Sequence, residues 1–418
     1  MKILVIGSGA REHAIVWKLK QSRQVERILV APGNAGTAQI ADNLLIDATD
    51  IPRLLAAARQ NKVDFTFVGP ETPLAAGIVD EFQKNGLAIF GPSQAAARIE
   101  SSKVFSKNLM HTYGIPTAAS RSFTAFEDAE AYVKLQKPPI VLKADGLAAG
   151  KGVVIAQSVE EAVSALNSMM RDKEFGEAGA QVVIEEYLSG REMSIFVFSD
   201  GVTISPPVTA CDYKRVFDGN NGPNTGGMGS FSPPDFYTDI LGERVMNEVM
   251  RPTIAALAQE NSTYSGVLYG GLMITSDGPK TIEFNCRLGD PETQVILPRL
   301  ETDLADIAAA VIERRLDKQE IAWSRKACVG VVMASGGYPG HYRTGLPITG
   351  LTDLDKDVTV FHAGTKLDPM GQVVTAGGRV LTVVASGETL AQARQKVYNN
   401  ISRIGFEGAH YRSDIAKF

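Results

Sequence analysis

The chain has 418 residues, 44% of them hydrophobic and 21% charged, with 40 glycines and a net charge of −5. That length asks for more than one hydrophobic core, and that composition is globular. The absence of a long run of either sign argues against a nucleic-acid or anionic-membrane surface, so the expected partner is a small molecule.

The opening "MKILVIGSG" is too short for the apolar core of a signal segment and reads as a buried first strand. "REHAIVWKLKQS" follows as an amphipathic helix, and "RILVAPGN", "NLLIDATD", "DFTFVGPE" and "LAIFGPS" repeat the pattern of strand then turn. This predicts an open parallel α/β sheet with its ligands at the carboxyl ends of the strands. "AAARIESSKVFSKNLMHTYG" reads as one helix stopped by Gly114 and Pro116. "PPIVLKADGLAAGKGVVIA" reads as two strands joined by a glycine loop, and "SVEEAVSALNSMM" as a helix capped by Ser158 with Glu161 three residues on. "QVVIEEYLSG" and "EMSIFVFSDG" are strands; 211–234 is polar and rich in Gly, Pro and Asn, a long functional loop or a disordered one; "GVLYGGLMITSDGPKTIEFNCRLG" is a hairpin turning at Asp277-Gly278; and 324–418 forms a smaller mixed α/β domain. No segment is long enough to span a bilayer. Cys211, Cys286 and Cys328 form no C-x-x-C, and the five histidines are scattered, which points to a reducing compartment, the cytoplasm, and away from a zinc site.

Chemistry is sought where polar residues interrupt these patterns. In "TIEFNCRL" strict alternation places Thr281, Glu283, Asn285 and Arg287 on one face and Ile282, Phe284, Cys286 and Leu288 on the other. A carboxylate and an amide oxygen side by side suit Mg²⁺ that also holds phosphates, and Arg287 is placed to steady a transferring phosphoryl group. The competing reading is a solvated strand face, disfavoured by the further acids Asp290 and Glu292 in "GDPETQ". Lys143 interrupts an apolar strand, which is costly unless it meets an anion; the alternative is an edge-strand lysine that snorkels. In "DGLAAGKG" the glycines let backbone N–H groups approach phosphate, yet Gly146 to Gly150 is one residue short of the usual phosphate loop, and Gly152 follows Lys151 where that loop has a hydroxyl. Alone, such a loop is more often just a turn. Glu185 and Glu186 in "VVIEEYLSGRE" can accept from a ribose or an adenine amino group, with the backbone of Glu186 and Leu188 reading the adenine edge; an ordinary strand end is the equal alternative. "GSGAREHA" fails the dinucleotide pattern, because Glu12 stands where the third glycine belongs and the next strand ends in Ala31-Pro32-Gly33 without an acid. A phosphate or ribose near Arg11 and Asn34 stays open.

The stretches "GSGAREHAI", "APGNAGT", "VGPETPLAAG", "VLKADGLAAGKGVV", "KRVFDGNNGPNTGGMGSFSP" and "IEFNCRLGDPETQ" together resemble the ATP-grasp superfamily and, within it, the glycinamide ribonucleotide synthetase family, over essentially the whole chain. The resemblance implies a Rossmann-like N-terminal α/β domain over 1–100 that binds substrate, a main ATP-grasp subdomain over 101–119 and 188–323, a lid over 120–187 and a C-terminal domain over 324–418. It implies ATP held between two sheets, with the metal on the sheet opposite the glycine loop, so the loop needs no hydroxyl. By that pattern Lys103 and Lys143 touch phosphates, with Gly146, Gly150, Lys151 and Gly152 in the loop. Glu185, Glu186, Tyr187 and Leu188 form the adenine hinge, and Glu192 meets the ribose. Glu283 and Asn285 are the metal ligands for Mg²⁺ or Mn²⁺. Arg287 faces the transferred phosphoryl group, and Asp290 meets the amino-acid substrate. Gly9, Arg11, Asn34, Glu71, Asp212, Lys214, Pro223, Asn224, Thr225 and Gly226 are candidates for the remaining substrate contacts. The implied reaction joins glycine to 5-phosphoribosylamine in purine synthesis, through glycyl phosphate, in a monomer with a weak dimer as the alternative. Two departures stand out: Ala10 replaces a glycine usual in the front motif, and the strand "YGGLMIT" lacks the extra carboxylate many relatives carry. His341, Arg343 and Arg379 are C-terminal candidates for the nucleotide, though surface polarity is the better reading of them. Another ATP-grasp ligase or carboxylase, a dehydrogenase on the first sheet, and a catalytically idle nucleotide binder remain as alternatives.

Overall fold

The computed structural model describes residues 1–147, 152–174 and 176–418; Gly150 and Lys151 of the predicted loop lie outside them. The first sheet is parallel, in the order β3-β2-β1-β4-β5, from β1 (Lys2–Gly7), β2 (Arg27–Pro32), β3 (Asp42–Asn43), β4 (Phe65–Val68) and β5 (Ile89–Phe90). Ile3, Leu4, Val5 and Ile6 are all fully buried because helices cover both faces. Ile3 and Val5 pack with Ala14 and Ile15, whereas Leu4 and Ile6 pack with Leu54 and Phe82.

A four-stranded antiparallel sheet, β6-β9-β7-β8, forms a separate small layer from β6 (Ser120–Phe123), β7 (Ile140–Ala144), β8 (Val153–Ala156) and β9 (Val182–Glu186). Its own core includes Leu142, Ala156, Leu166 and Ile184. The Ser158 hydroxyl accepts from the Glu161 N–H at 3.2 Å, the cap expected there.

The largest sheet has eight strands in the order β16-β15-β10-β11-β14-β17-β21-β18. It runs from β10 (Arg191–Asp200), β11 (Val208–Asp212), β14 (Gly229–Ser232), β15 (Ser265–Thr275) and β16 (Gly278–Asn285) straight into β17 (Ala327–Ala334), β18 (Val358–His362) and β21 (Arg379–Gly387). Two ribbons complete the strands: β12 (Arg215–Phe217) with β13 (Asn221–Asn224), and β19 (Thr365–Leu367) with β20 (Val373–Thr375).

Four local expectations need correction. The predicted single helix is two, Gln94–Ser101 and Lys103–Thr112. Ser102 between them is extended (φ −134°, ψ 109°), and its hydroxyl caps the second helix by accepting from Phe105 N–H at 3.1 Å. Residues 211–234 are not a structureless loop but carry the end of β11, the β12–β13 ribbon and β14; C-terminal side chains pair with their backbone, Arg412 donating to the Arg215 carbonyl and Asp414 accepting from the Gly219 N–H. The β15–β16 turn lies at Ser276 and Asp277, with Thr275 already paired to Gly278. Finally, β16 does not alternate without interruption. Glu283 pairs with Gly271 but Thr281 with Leu272, so Ile282 is an extra, bulged residue. The bulge turns Thr281 into the core and puts Ile282 beside Glu283 in one cavity lining.

Candidate active site

Two groups of charged side chains meet on β16, above and below Asn285. The first lies where the small sheet faces the large one. Lys103 begins its helix, and its ammonium donates to the Gly146 carbonyl at 2.9 Å. The site exists because the chain breaks at Ser102: Asp145 accepts from the Val104 N–H at 3.1 Å and from the Ser102 hydroxyl at 3.3 Å, tying the start of the helix to the glycine loop. Lys143, fully inside β7, donates to Glu185 at 3.0 Å and to the carbonyl of the bulged Ile282 at 3.0 Å. Burial lowers the Lys103 pKa, opposed by the nearby Glu283 carboxylate.

Glu283 faces this group. Burial would raise its pKa, but Lys214, Lys143, Lys103 and Arg287 outweigh that and hold it below the usual range. Among the described residues, the side chains of Glu283 and Asn285 make no hydrogen bond, and no group of three or more His, Cys, Asp or Glu side chains is arranged to hold a metal ion by itself. A carboxylate and an amide oxygen, both free and on one strand face, fit a hard cation whose other ligands are water and phosphate oxygens. A small cavity beside Glu283 is also lined by Glu192, Asp212, Lys214 and Tyr269, which places three more predicted residues together. Lys214 pairs with Glu192 at 2.8 Å. Burial raises the Asp212 pKa against the pull of Lys214, with Glu292, Glu192 and Glu283 adding to the rise.

The second group lies in the seam between the carboxyl ends of the first sheet and the end of β16. Arg287 donates to Glu100 at 2.7 Å and to Glu71 at 3.1 Å. Burial raises the Glu71 pKa, but Arg287 and Arg11 reverse this and pull it down to about 2. Arg11 bonds Glu12 at 2.6 Å and the Leu288 carbonyl at 3.1 Å. Asp290 accepts from Gln294 at 2.8 Å and pairs with Arg379 at 3.2 Å. Burial opposes its ionisation, yet Arg379 and Arg11 depress its pKa, so it is a carboxylate at neutral pH. Gly9 is close enough that a Cβ there would stand 3.3 Å from Asp290 and 2.8 Å from Glu12. Glu12 itself accepts from the Gly9 N–H at 2.6 Å, so the glycines of the front motif make room for the chain's own carboxylate, where a dinucleotide would need its pyrophosphate.

The remaining predicted residues divide. Thr225 and Gly226 are fixed here, Thr225 through the Lys214 carbonyl at 2.8 Å and Gly226 through Arg379 at 2.7 Å. Pro223 and Asn224 are exposed on β13. Asn34 uses its side chain internally, on Ser8, Gly36, Thr37 and the His362 carbonyl. Glu186 accepts from Ala119 at 3.0 Å and Lys280 at 3.3 Å, and Tyr187 is exposed. Of the C-terminal candidates, Arg379 reaches Asp290 while Arg343 stays on the surface with Glu407.

Sequence reasoning missed Glu100 and Lys107, although a signal existed. Glu100 shares a helical face with Ala96 and Ala97, both buried, and Lys107 shares one with Met110; a charge on an apolar face must find its opposite. Lys107 meets Glu185 at 3.1 Å.

Three family descriptions match successive parts of the chain: the phosphoribosylglycinamide synthetase N domain over residues 1–100, its ATP-grasp (A) domain over 101–293 and its C domain over 328–418. A phosphoribosylamine–glycine ligase of Halalkalibacterium halodurans is 52% identical over 417 residues, spanning 99% of this chain and 96% of that one. The ligase of the same description from Yersinia pestis is 51% identical over 419 residues, spanning 99% and 98%. Among solved structures, phosphoribosylamine–glycine ligase from Thermotoga maritima superimposes with a TM-score of 0.84 at 33% identity, covering 99% of this chain and all 100% of the other. A biotin carboxylase from Campylobacter jejuni, in a beta-gamma-ATP complex, shares the fold with a TM-score of 0.75 at 16% identity, covering 98% of this chain and 92% of that one.

Proposed function

The chain belongs to the phosphoribosylglycinamide synthetase family, and from that premise we propose how its residues divide one reaction. That reaction is the ATP-dependent joining of glycine to 5-phosphoribosylamine, giving glycinamide ribonucleotide, ADP and phosphate in purine synthesis. The route is a glycyl phosphate. A glycine carboxylate oxygen attacks the γ-phosphorus in line, and ADP leaves. The amine of phosphoribosylamine then attacks the activated carbonyl carbon, phosphate leaves, and the nitrogen gives up a proton. No protein nucleophile is needed; positioning and charge neutralisation do the work.

Lys103 and Lys143 take the phosphates, together with the backbone of Gly146, Gly150, Lys151 and Gly152. Glu185 to Leu188 border the adenine, and Glu192 the ribose. Glu283 and Asn285 hold a divalent ion, Mg²⁺ with Mn²⁺ as substitute, and when bound it supplies charge neutralisation at the phosphates. Arg287 faces the transferred phosphoryl group. Its two carboxylate partners fix the guanidinium before substrate arrives, so little reorganisation remains at the moment of reaction. Asp290, ionised at neutral pH, suits the glycine ammonium. Gly9, Arg11, Asn34, Glu71, Asp212, Lys214 and the stretch Pro223 to Gly226 border phosphoribosylamine and glycine. The proposed setting is the cytoplasm and the proposed state a monomer; among the described residues, no helix is long and apolar enough to cross a membrane.

One observation carries the reading. The four-residue step from Glu283 on β16 to Arg287, two residues past its end, bridges the lysine-lined cleft and the arginine-rich seam, so phosphate and acceptor chemistry share one continuous stretch of chain. The test is phosphate release from Mg-ATP with fresh phosphoribosylamine, with and without glycine. Release that requires all three substrates is expected. Glu283→Ala is expected to fold, shown by an unchanged circular dichroism spectrum, and to raise the Mg²⁺ half-saturation at least about tenfold. Release without glycine would sink the assignment.

A further inference from the structure

Lys107 has no role in the reaction as described, yet it is one of the most buried charges in the molecule, at 3% exposure. It sits one helical turn beyond Lys103, on the helix that faces the small sheet. Its ammonium donates to the Thr117 hydroxyl at 2.7 Å and meets Glu185 at 3.1 Å. Thr117 in turn donates to the Thr281 carbonyl at 2.7 Å, at the residue before the bulge of β16. Glu185 is equally buried, and Lys143 stands 3.0 Å from it on the other side. Glu185 therefore lies between two lysines, one on the body of the protein and one on the small sheet.

The charges decide what this arrangement does. Glu185 with Lys143 alone is a neutral pair, and in a low-dielectric site that pair holds its partners tightly. With Lys107 present the three groups carry a net charge of +1. An ammonium has three donors. Lys143 uses one on Glu185 and one on the Ile282 carbonyl, which leaves the third for a phosphate oxygen.

We propose that Lys107 is a positioning residue: by neutralising Glu185 it keeps the charge and the third donor of Lys143 directed at the ATP phosphates. This rests on the reading above that Lys143 meets those phosphates. The cost of burying a second lysine here is visible in its own pKa, which burial lowers to about 8 although Glu185 opposes the shift. A lysine kept only to brace the fold would be replaceable by an uncharged residue without touching the nucleotide.

The experiment compares Lys107→Gln, Lys107→Arg, Lys143→Gln and the double variant Lys107→Gln/Glu185→Gln in the three-substrate assay, with thermal melts as the folding control. Lys107→Gln is expected to raise the KM for Mg-ATP about tenfold while the KM for glycine holds. Lys107→Arg should recover most of that loss. The double variant should show a lower ATP KM than Lys107→Gln, because the carboxylate that captured Lys143 is gone. Equal changes in both KM values, or a double variant worse than the single, would overturn the proposal and leave Lys107 a structural residue. If Lys143→Gln leaves the ATP KM unmoved, the phosphate reading of Lys143 fails and this proposal with it. If Lys143→Gln raises that KM and Lys107→Gln does not, only the role of Lys107 falls. Should Lys107→Gln fold too poorly to assay, the double variant, which keeps the net charge of +1 that these three groups carry in the wild type, decides: an ATP KM below that of Lys143→Gln supports the proposal, and one at or above it refutes it.

Discussion

Arg287 shows how one side chain can be fixed by the fold at the place where the proposed chemistry needs it. Its guanidinium fork reaches two carboxylates on different elements, Glu71 after β4 and Glu100 on the helix before Lys103. A lysine keeps the charge but cannot reach both acids with one compact head. Arg287→Lys is therefore expected to lower kcat by about a hundredfold, in line with loss of one preorganised donor. It should also leave a buried acid poorly paired, lowering the denaturation midpoint. Steady-state phosphate release and a urea melt would check the two effects; unchanged kcat would remove Arg287 from the reaction.

Among the elements, the break at Ser102 matters most. Extended backbone at one residue starts a new helix, and so puts Lys103 at a helix N-terminus beside Asp145 and the Gly146 carbonyl. Ser102→Ala removes the cap of Phe105 N–H and is expected to cost about 1 kcal/mol in a denaturant melt. It should also raise the KM for ATP, because the cap sets the register of the lysine. The bulge at Ile282 is the comparable device on β16: it aims a carbonyl at Lys143 while leaving Glu283, Asn285 and Arg287 on a common face.

In the whole molecule, a pair of buried histidines joins the first helix, Ala10–Leu19, to the C-terminal strand β18. The His13 Nδ1 accepts from the His362 N–H at 2.9 Å, and their rings stand 5.5 Å apart. Burial and then the facing His362 push the His13 pKa down to about 3, and burial pushes His362 down to about 4. Both folded values lie below the unfolded value near 6.5, so the unfolded chain takes up the protons first. The stabilisation is present above about pH 6.5 and is lost as the pH falls from there toward 4 and 3. Urea melts at pH 7 and pH 5 should differ by about 2 kcal/mol for each histidine. His13→Gln should roughly halve that difference; the same difference in the variant would locate the acid sensitivity elsewhere.

Much of this protein is legible from residue pattern alone. The apolar runs of the first hundred residues dictate a parallel sheet covered on both faces, and the polar residues of "TIEFNCRL" mark the strand that carries Glu283 and Asn285 and leads into Arg287, because these are local periodicities. Strict alternation also misplaced Thr281, since a bulge depends on how β15 pairs with β16 and not on either strand by itself. The partners of Arg287 and Glu185 lay out of reach for the same reason: Glu100 and Lys107 come from helices far along the chain, and only packing brings them to the charges they neutralise. The sequence by itself determined which residues carry the side-chain chemistry on which the phosphate and metal proposals rest, because that is a property of the residues themselves. Only the tertiary structure decided which charges are balanced and which remain free for substrate, because a buried charge is set by its neighbours in space.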